Sequence, residues 1–173
     1  RGSRTMIRNS LLIAMLALVL AACSDRSAPS SESGFVPSKQ TPALVVETFQ
    51  GGKFDLAEYR GKWVVVNFWA TWCAPCLKEI PDFNAFAKFR KDVQFIGLAY
   101  EEITREDMSA FLKDHPIDYP FAIIDVYNPP EHFETPRGLP MTVLIAPDGK
   151  VSKTFLGPVT ASDIEAAMSV NPR

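Results

Sequence analysis

The stretch that most limits how this chain can fold is residues 63–70, WVVVNFWA. It is a run of β-branched and aromatic residues broken by one polar side chain, Asn67. A strand with one wet face alternates apolar and polar residues, whereas an unbroken apolar run belongs in the middle of a sheet, buried on both faces. The segments around it fit layers built on that strand. A helix is expected from about Ala74 to Arg90, and VQFIGLAY (93–100) reads as a second buried strand. Thr104 with Asp107 opens another helix, with Met108, Phe111 and Leu112 on one face and His115–Pro116 at its end. YPFAIID (119–125) is strand-like, and a proline-containing loop runs on to Gly138. MTVLIA, the turn PDGK and VSKTFL form a hairpin, and a last helix, opened by Thr160 or Ser162, turns Ile164, Ala167 and Met168 inward. Ahead of the central strand, ALVVETF and GGKFDL read as two short strands about a Gly51–Gly52 turn. Asp55 with Glu58 caps a short helix that stops at Gly61. This order predicts an α/β fold, a mixed central β-sheet with helices on both faces.

The amino-terminal part has a different character. RGSRT reads as a remnant ahead of a natural start at Met6, and LLIAMLALVLAA (11–22) is an apolar run of the length of a secretory leader, too short for a bilayer span of about 20 residues. It ends in LAAC, which resembles a bacterial lipobox, so residues 1–22 are expected to be removed and Cys23 to carry lipid. Residues 23–42, rich in Ser and Pro, read as a flexible tether. Residues 43–173 are then one domain, held to a bacterial membrane through the lipid and facing the periplasm. Without residues 1–22 the chain has 15 basic and 20 acidic residues, a net charge of −5. That balance, with no basic stripe, argues against a nucleic-acid partner.

With Cys23 assigned to lipid, Cys73 and Cys76 remain, in ATWCAPCLKE (70–79), where the central strand meets its helix. Ligands and chemistry collect at the carboxyl ends of strands in such sheets. A bridge across so small a loop constrains the unfolded chain little and makes a poor staple. A helix start carries bare N–H groups and a positive partial charge, which favour a thiolate at Cys73. Thiols in CxxC settings have pKa values lowered to roughly 3.5–7.5 from about 8.5. Cys73, expected to stand exposed and ionised at the helix's positive end, is therefore the nucleophile, and Cys76, almost one turn on and more buried behind it, the resolving thiol. Pro75 suits the first turn, and Trp72 offers a flat apolar shoulder beside the reactive sulfur. A structural zinc site wants four ligands, and only His115 and His132 are available, far along the chain; no metal is expected. Haem attachment wants a histidine directly after the second cysteine, where Leu77 stands. An inert buried pair remains as the bland alternative.

FWATWCAPC resembles the thioredoxin signature, and WCAPCLKEIP is similar to the TlpA/ResA branch of bacterial, membrane-tethered thiol–disulfide oxidoreductases. The resemblance spans residues 43–173 and implies a thioredoxin-like fold with no cofactor beyond a redox-active Cys73–Cys76 disulfide. It implies further that Glu79 corresponds to a family glutamate that takes the proton of the second cysteine. At i+3 from Cys76 it lies on the same helix face, and burial would raise its pKa. Thioredoxins carry a buried aspartate where Asn67 stands, so that acceptor is missing. Pro140 in RGLPMT matches a cis-proline packed against the CxxC turn, leaving the Leu139 backbone to pair with an extended substrate; Met141 replaces a more usual Thr. Pro81, inside the expected helix, should kink it. The implied activity is reduction of client protein disulfides, in cytochrome c or copper-site assembly. Recharging would come from a membrane thiol–electron donor, with the protein a monomer. A disulfide-forming oxidant is the reverse alternative, although the Ala74–Pro75 pair lacks the histidine that favours oxidation. A copper carrier on the same two sulfurs is a third reading. His132 and Glu131, in the 126–138 loop, read as solvated.

Overall fold

The computed structural model describes residues 41–170, so the apolar leader, Cys23 and most of the tether lie outside the described residues. The central run forms β3 (Trp63–Trp69), every residue of which is buried. It sits in a five-stranded sheet ordered β5-β4-β3-β6-β7. Its parallel neighbour β4 (Val93–Tyr100) is reached through α1 (Ala74–Phe89), and β5 (Phe121–Ile124), parallel to β4, through α2 (Arg105–Phe111). On the other side of β3 the hairpin β6 (Met141–Ile145) and β7 (Val151–Leu156) runs antiparallel, and α3 (Ala161–Val170) closes the domain. β1 (Val45–Glu47) and β2 (Lys53–Asp55) form a separate antiparallel pair. This is the mixed α/β sheet that the order of segments predicts, with one correction: the three α-helices pack on one face, and the other face is covered by the β1–β2 region, the turn at Leu56 and the loop carrying Phe133.

The period-2 geometry of β3 divides the core in two. Val65 and Trp63 pack with Phe83 and Phe86 of α1 and Ile164 and Met168 of α3. Val64, Val66 and Phe68 point the other way, to Leu44, Phe54 and Leu56 of the β1–β2 region and to Phe133. Phe83 and Phe95 meet at 5.5 Å between ring centroids, as do Phe95 and Tyr119. Each such buried ring contributes about 1.5–3 kcal/mol of apolar burial. Phe133 pins the proline-containing loop to the core, its ring 6.0 Å from that of Phe68.

Four local expectations are adjusted. The segment after Asp55 is a single 3-10 turn, Leu56–Tyr59, with Asp55 accepting from the Ala57 N–H. β1 is shorter than ALVVETF because Thr48 to Gly52 curl into the turn. α2 ends at Phe111, and residues 112–115 tighten into turns ahead of Pro116. β5 starts only after Pro120, which has no N–H for a ladder. There Gln50 substitutes for a strand: its amide donates to the Tyr119 carbonyl (3.1 Å) and its Oε1 accepts from the Phe121 N–H (3.3 Å). Of the two possible caps for the last helix, Thr160 is used: its Oγ1 accepts from the Asp163 N–H, and Asp163 Oδ2 accepts from the Thr160 N–H.

Candidate active site

The carboxyl end of β3 delivers Ala70, Thr71 and Trp72 to the start of α1. Glu101, just past β4, holds this turn: its carboxylate accepts the Thr71 N–H at 2.6 Å and the Thr71 hydroxyl at 2.9 Å. The Cys73 N–H donates to the Ala70 carbonyl. Cys73 is the N-cap of α1, and its Sγ accepts from the Cys76 N–H at 3.3 Å. No acidic residue stands in the first turn of α1 to offset the positive helix end, and Pro75 falls within that turn. The Cys73 sulfur thus sits where bare N–H groups and the helix dipole favour negative charge.

Cys73 and Cys76 form a disulfide, with their Cα atoms 5.3 Å apart. One expectation needs correcting here. Cys73 does not stand open in this oxidised state: it is 4% exposed and Cys76 1%. The two cysteines belong to a buried cluster with Trp69, Ala70, Ile80 and Ala99, against which Leu139 packs. The exposed group is Trp72, 69% accessible beside the disulfide. Leu139–Pro140 is a cis peptide bond. The β3–β6 ladder ends at Phe68↔Met141, so Pro140 lies next to Trp69 at the carboxyl end of β3, and Leu139 lies outside the paired strand. The structure therefore brings Trp72, Cys73, Cys76 and Leu139–Pro140 together.

Glu79 is buried one turn behind Cys76. Its Oε1 accepts the Val159 N–H at 2.6 Å, while Oε2 has no partner among the described residues. Burial raises its pKa to about 7, against the smaller lowering effect of the Val159 hydrogen bond. A carboxyl titrating there can both hold and give up a proton at neutral pH. Asn67 is buried in the same layer, and its amide donates to Thr142 Oγ1 at 3.0 Å. α1 continues through Pro81, which is exposed. His132 accepts the Ala43 N–H, which ties the 126–138 loop to the segment before β1.

Sequence reasoning missed Glu101 and Val159. The Glu101 bond crosses 30 positions, and Val159 acts through its backbone, to which side-chain identity is blind.

A disulfide at the junction of the central strand and its following helix, in a mixed sheet of this order, defines the thioredoxin-like thiol–disulfide oxidoreductases. The redoxin family model matches residues 36–168. Thiol-disulfide oxidoreductase ResA from a strain of Bacillus cereus is 35% identical over 135 residues, 73% of each chain. ResA from Bacillus subtilis is 31% identical over 137 residues, 75% of this chain and 72% of its own. Among solved structures, a thiol:disulfide interchange protein of the thioredoxin family from Chlorobium tepidum superposes with a TM-score of 0.64. It is 28% identical and covers 78% of this chain and 95% of its own. The chain belongs to the redoxin family and, within it, to the ResA-type thiol–disulfide oxidoreductases.

Proposed function

We propose that the protein is an extracytoplasmic reductant of client disulfides, with Cys73 as nucleophile, Cys76 as resolving thiol and Glu79 as its base. The reading rests on one observation above the rest: a buried carboxyl sits one helical turn on from Cys76, one oxygen anchored by Val159 and the other without a partner among the described residues. In the dithiol form the Cys73 thiolate attacks a client disulfide, making a Cys73–client disulfide and releasing the first client thiolate. Cys76 then transfers its proton to Glu79 and attacks the Cys73 sulfur. The second client thiolate leaves, Cys73–Cys76 closes, and two electrons have passed to the client. Trp72 and the Leu139–Pro140 segment form the docking surface, where an extended client strand pairs with the Leu139 backbone.

The closed disulfide must be reduced again by an upstream dithiol, for which a membrane thiol–electron donor is the fitting source. Lipid on Cys23 and the tether would keep the domain at that membrane. Precursors of c-type cytochromes or of copper sites are the client classes implied by the resemblance of WCAPCLKEIP. The test is a Cys76→Ser variant in the native compartment. It should accumulate a mixed disulfide on Cys73 with its client, and Cys73→Ser should not. No adduct, together with a pair inert in a redox titration, overturns the reading.

A further inference from the structure

Three successive backbone N–H groups lead into α3, and each is held by a different carboxylate. The Val159 N–H donates to Glu79 Oε1 at 2.6 Å, the Thr160 N–H to Asp163 Oδ2 at 2.9 Å and the Ala161 N–H to Asp82 Oδ2 at 2.9 Å. A helix start leaves its first N–H groups without partners in the helix, and nearby side chains commonly supply them. Asp163, in the first turn of α3, is such a local partner. Glu79 and Asp82 are not local. Both project from α1, three residues apart and so on one face of it, and reach across 80 and 79 positions of sequence.

The segment ahead of α3 is fastened at alternate residues. The Gly157 N–H donates to the Pro140 carbonyl at 2.9 Å, the Val159 N–H to Glu79 and the Ala161 N–H to Asp82. The Glu79 bond is thus the middle one of three, with the cis-proline loop on one side and Asp82 on the other. The Thr160–Asp163 bonds lie within the start of α3 and tie nothing to α1. Asp82 has no evident use to its own helix. Aspartate is a weak helix former in a helix interior, and a second carboxylate three residues from Glu79 adds like charge to that face. Its bond to Ala161 is the compensation that the fold shows.

We propose that Asp82 is a positioning residue for Glu79: by holding the Ala161 N–H it keeps the Val159 N–H on Glu79 Oε1, which leaves Oε2 as the oxygen that receives a proton. A group that moves protons keeps one geometry only where the contacts around it are themselves fixed. That the proton comes from Cys76 rests on the proposed role of Glu79, whereas the anchoring of the carboxyl does not. The titratable groups around Glu79 are Cys76 and Asp82 on α1, Asp163 on α3, and Tyr119, whose phenol is pushed up by burial. β3 and β6 present the uncharged Asn67 and Thr142.

The test is a carbon-13 NMR titration of the Glu79 carboxyl in oxidised protein, where Cys76 is bonded and does not titrate, read with the Val159 amide proton. Beside it runs the pH profile of the resolving step, in wild type, Asp82→Asn, Asp82→Ala and Ala161→Pro. Asp82→Asn removes the charge and keeps an oxygen for the Ala161 N–H; Asp82→Ala removes both. Ala161→Pro removes the donor and keeps the charge, at a first helical position, which suits proline. A lost donor disfavours the charged carboxyl. The midpoint in Asp82→Ala should therefore lie about half a unit above that in Asp82→Asn, and in Ala161→Pro about as far above wild type. The Val159 amide should follow the titration less in both. Below the midpoint the resolving rate should fall about threefold, the same shift expressed as base fraction. Equal midpoints in Asp82→Ala and Asp82→Asn, with Ala161→Pro at the wild-type value, overturn the proposal, since Asp82 is then only a nearby charge. A midpoint that moves while the rate profile does not keeps Asp82 as the anchor of the carboxyl and refutes the base role of Glu79. Asp82 is exposed, so its variants should fold, and should Ala161→Pro not fold, the Asp82 pair decides alone.

Discussion

Replacing Glu79 with Gln should make the oxidised protein more stable at pH 8 while impairing its chemistry. The carboxyl has a pKa of about 7 in the fold against 4.5 as the reference, raised chiefly by burial. The folded state therefore binds more protons than the unfolded chain between those values, and stability must fall as pH rises through that window. The contribution is fully present below about pH 4.5 and gone above about pH 7. At about 1.4 kcal/mol per unit, the shift of roughly 2.5 units is worth about 3 kcal/mol. Gln stays neutral and can still accept the Val159 N–H, so it should escape most of that loss. The assay is urea unfolding of both oxidised proteins from pH 4.5 to 8.5. Their curves should coincide at the acid end and separate to about 2–3 kcal/mol by pH 8, a midpoint difference of roughly 1 M urea or more. Asp55, Asp148 and Asp163 have lowered pKa values, so their contributions are lost only below 3.8, outside the window. Both proteins share every other titrating group, so the difference curve isolates position 79. Parallel curves, or a wild type no less stable at pH 8 than at pH 4.5 relative to the variant, would refute the claim that this carboxyl is desolvated.

Glu101→Ala should cost about 1–3 kcal/mol by urea unfolding, since it leaves the Thr71 N–H and hydroxyl without the carboxylate that accepts both, and Glu101→Gln should cost less because one acceptor oxygen survives. Equal losses in the two variants would show that these bonds do not hold the turn. Trp72→Ala should leave stability within about 0.5 kcal/mol, the ring being exposed. It should lower kcat/KM for a protein disulfide about tenfold, as loss of an aromatic contact at an interface does, while sparing a small-molecule disulfide. An equal loss on both substrates would place Trp72 in the chemistry rather than in docking.

The parts of the fold that could be read in the sequence are those where local pattern and tertiary need agree. WVVVNFWA has no alternation because β3 is covered on both faces, and Thr104–Asp107 and Thr160–Asp163 announce helix starts because the bonds run within four residues. CAPC lies at a strand–helix junction for the same local reason. What resisted reading depends on partners distant in sequence. Gln50, 71 positions from Phe121, completes the start of β5, and nothing in its neighbourhood marks it for that. The openness expected of Cys73 assumed a sulfur seen from its own helix end. Its burial comes from Trp69, Ala99 and Leu139, brought from two strands and a loop.

Asn67 and Glu79 look like two unrelated departures from the thioredoxin pattern when read along the chain, yet in the fold they are one arrangement. The row Gly97–Asn67–Thr142 is buried and lies beneath α1, and a carboxyl at position 67 together with one at 79 would set two acids in the same layer, driving one of them strongly towards neutrality. Asn67 instead gives its amide to Thr142, and the single acid rides on the helix. At about 100° per residue, Glu79 is roughly 60° around the helix from Cys76 but roughly 120° from Cys73. The acid is thereby set beside Cys76 and away from Cys73, whose charge the helix start favours, which is the placement that the proposed roles of the two sulfurs require. One turn-and-a-half of α1 thus sets the geometry of both sulfurs and the acid, and the sheet has only to hold that helix in place.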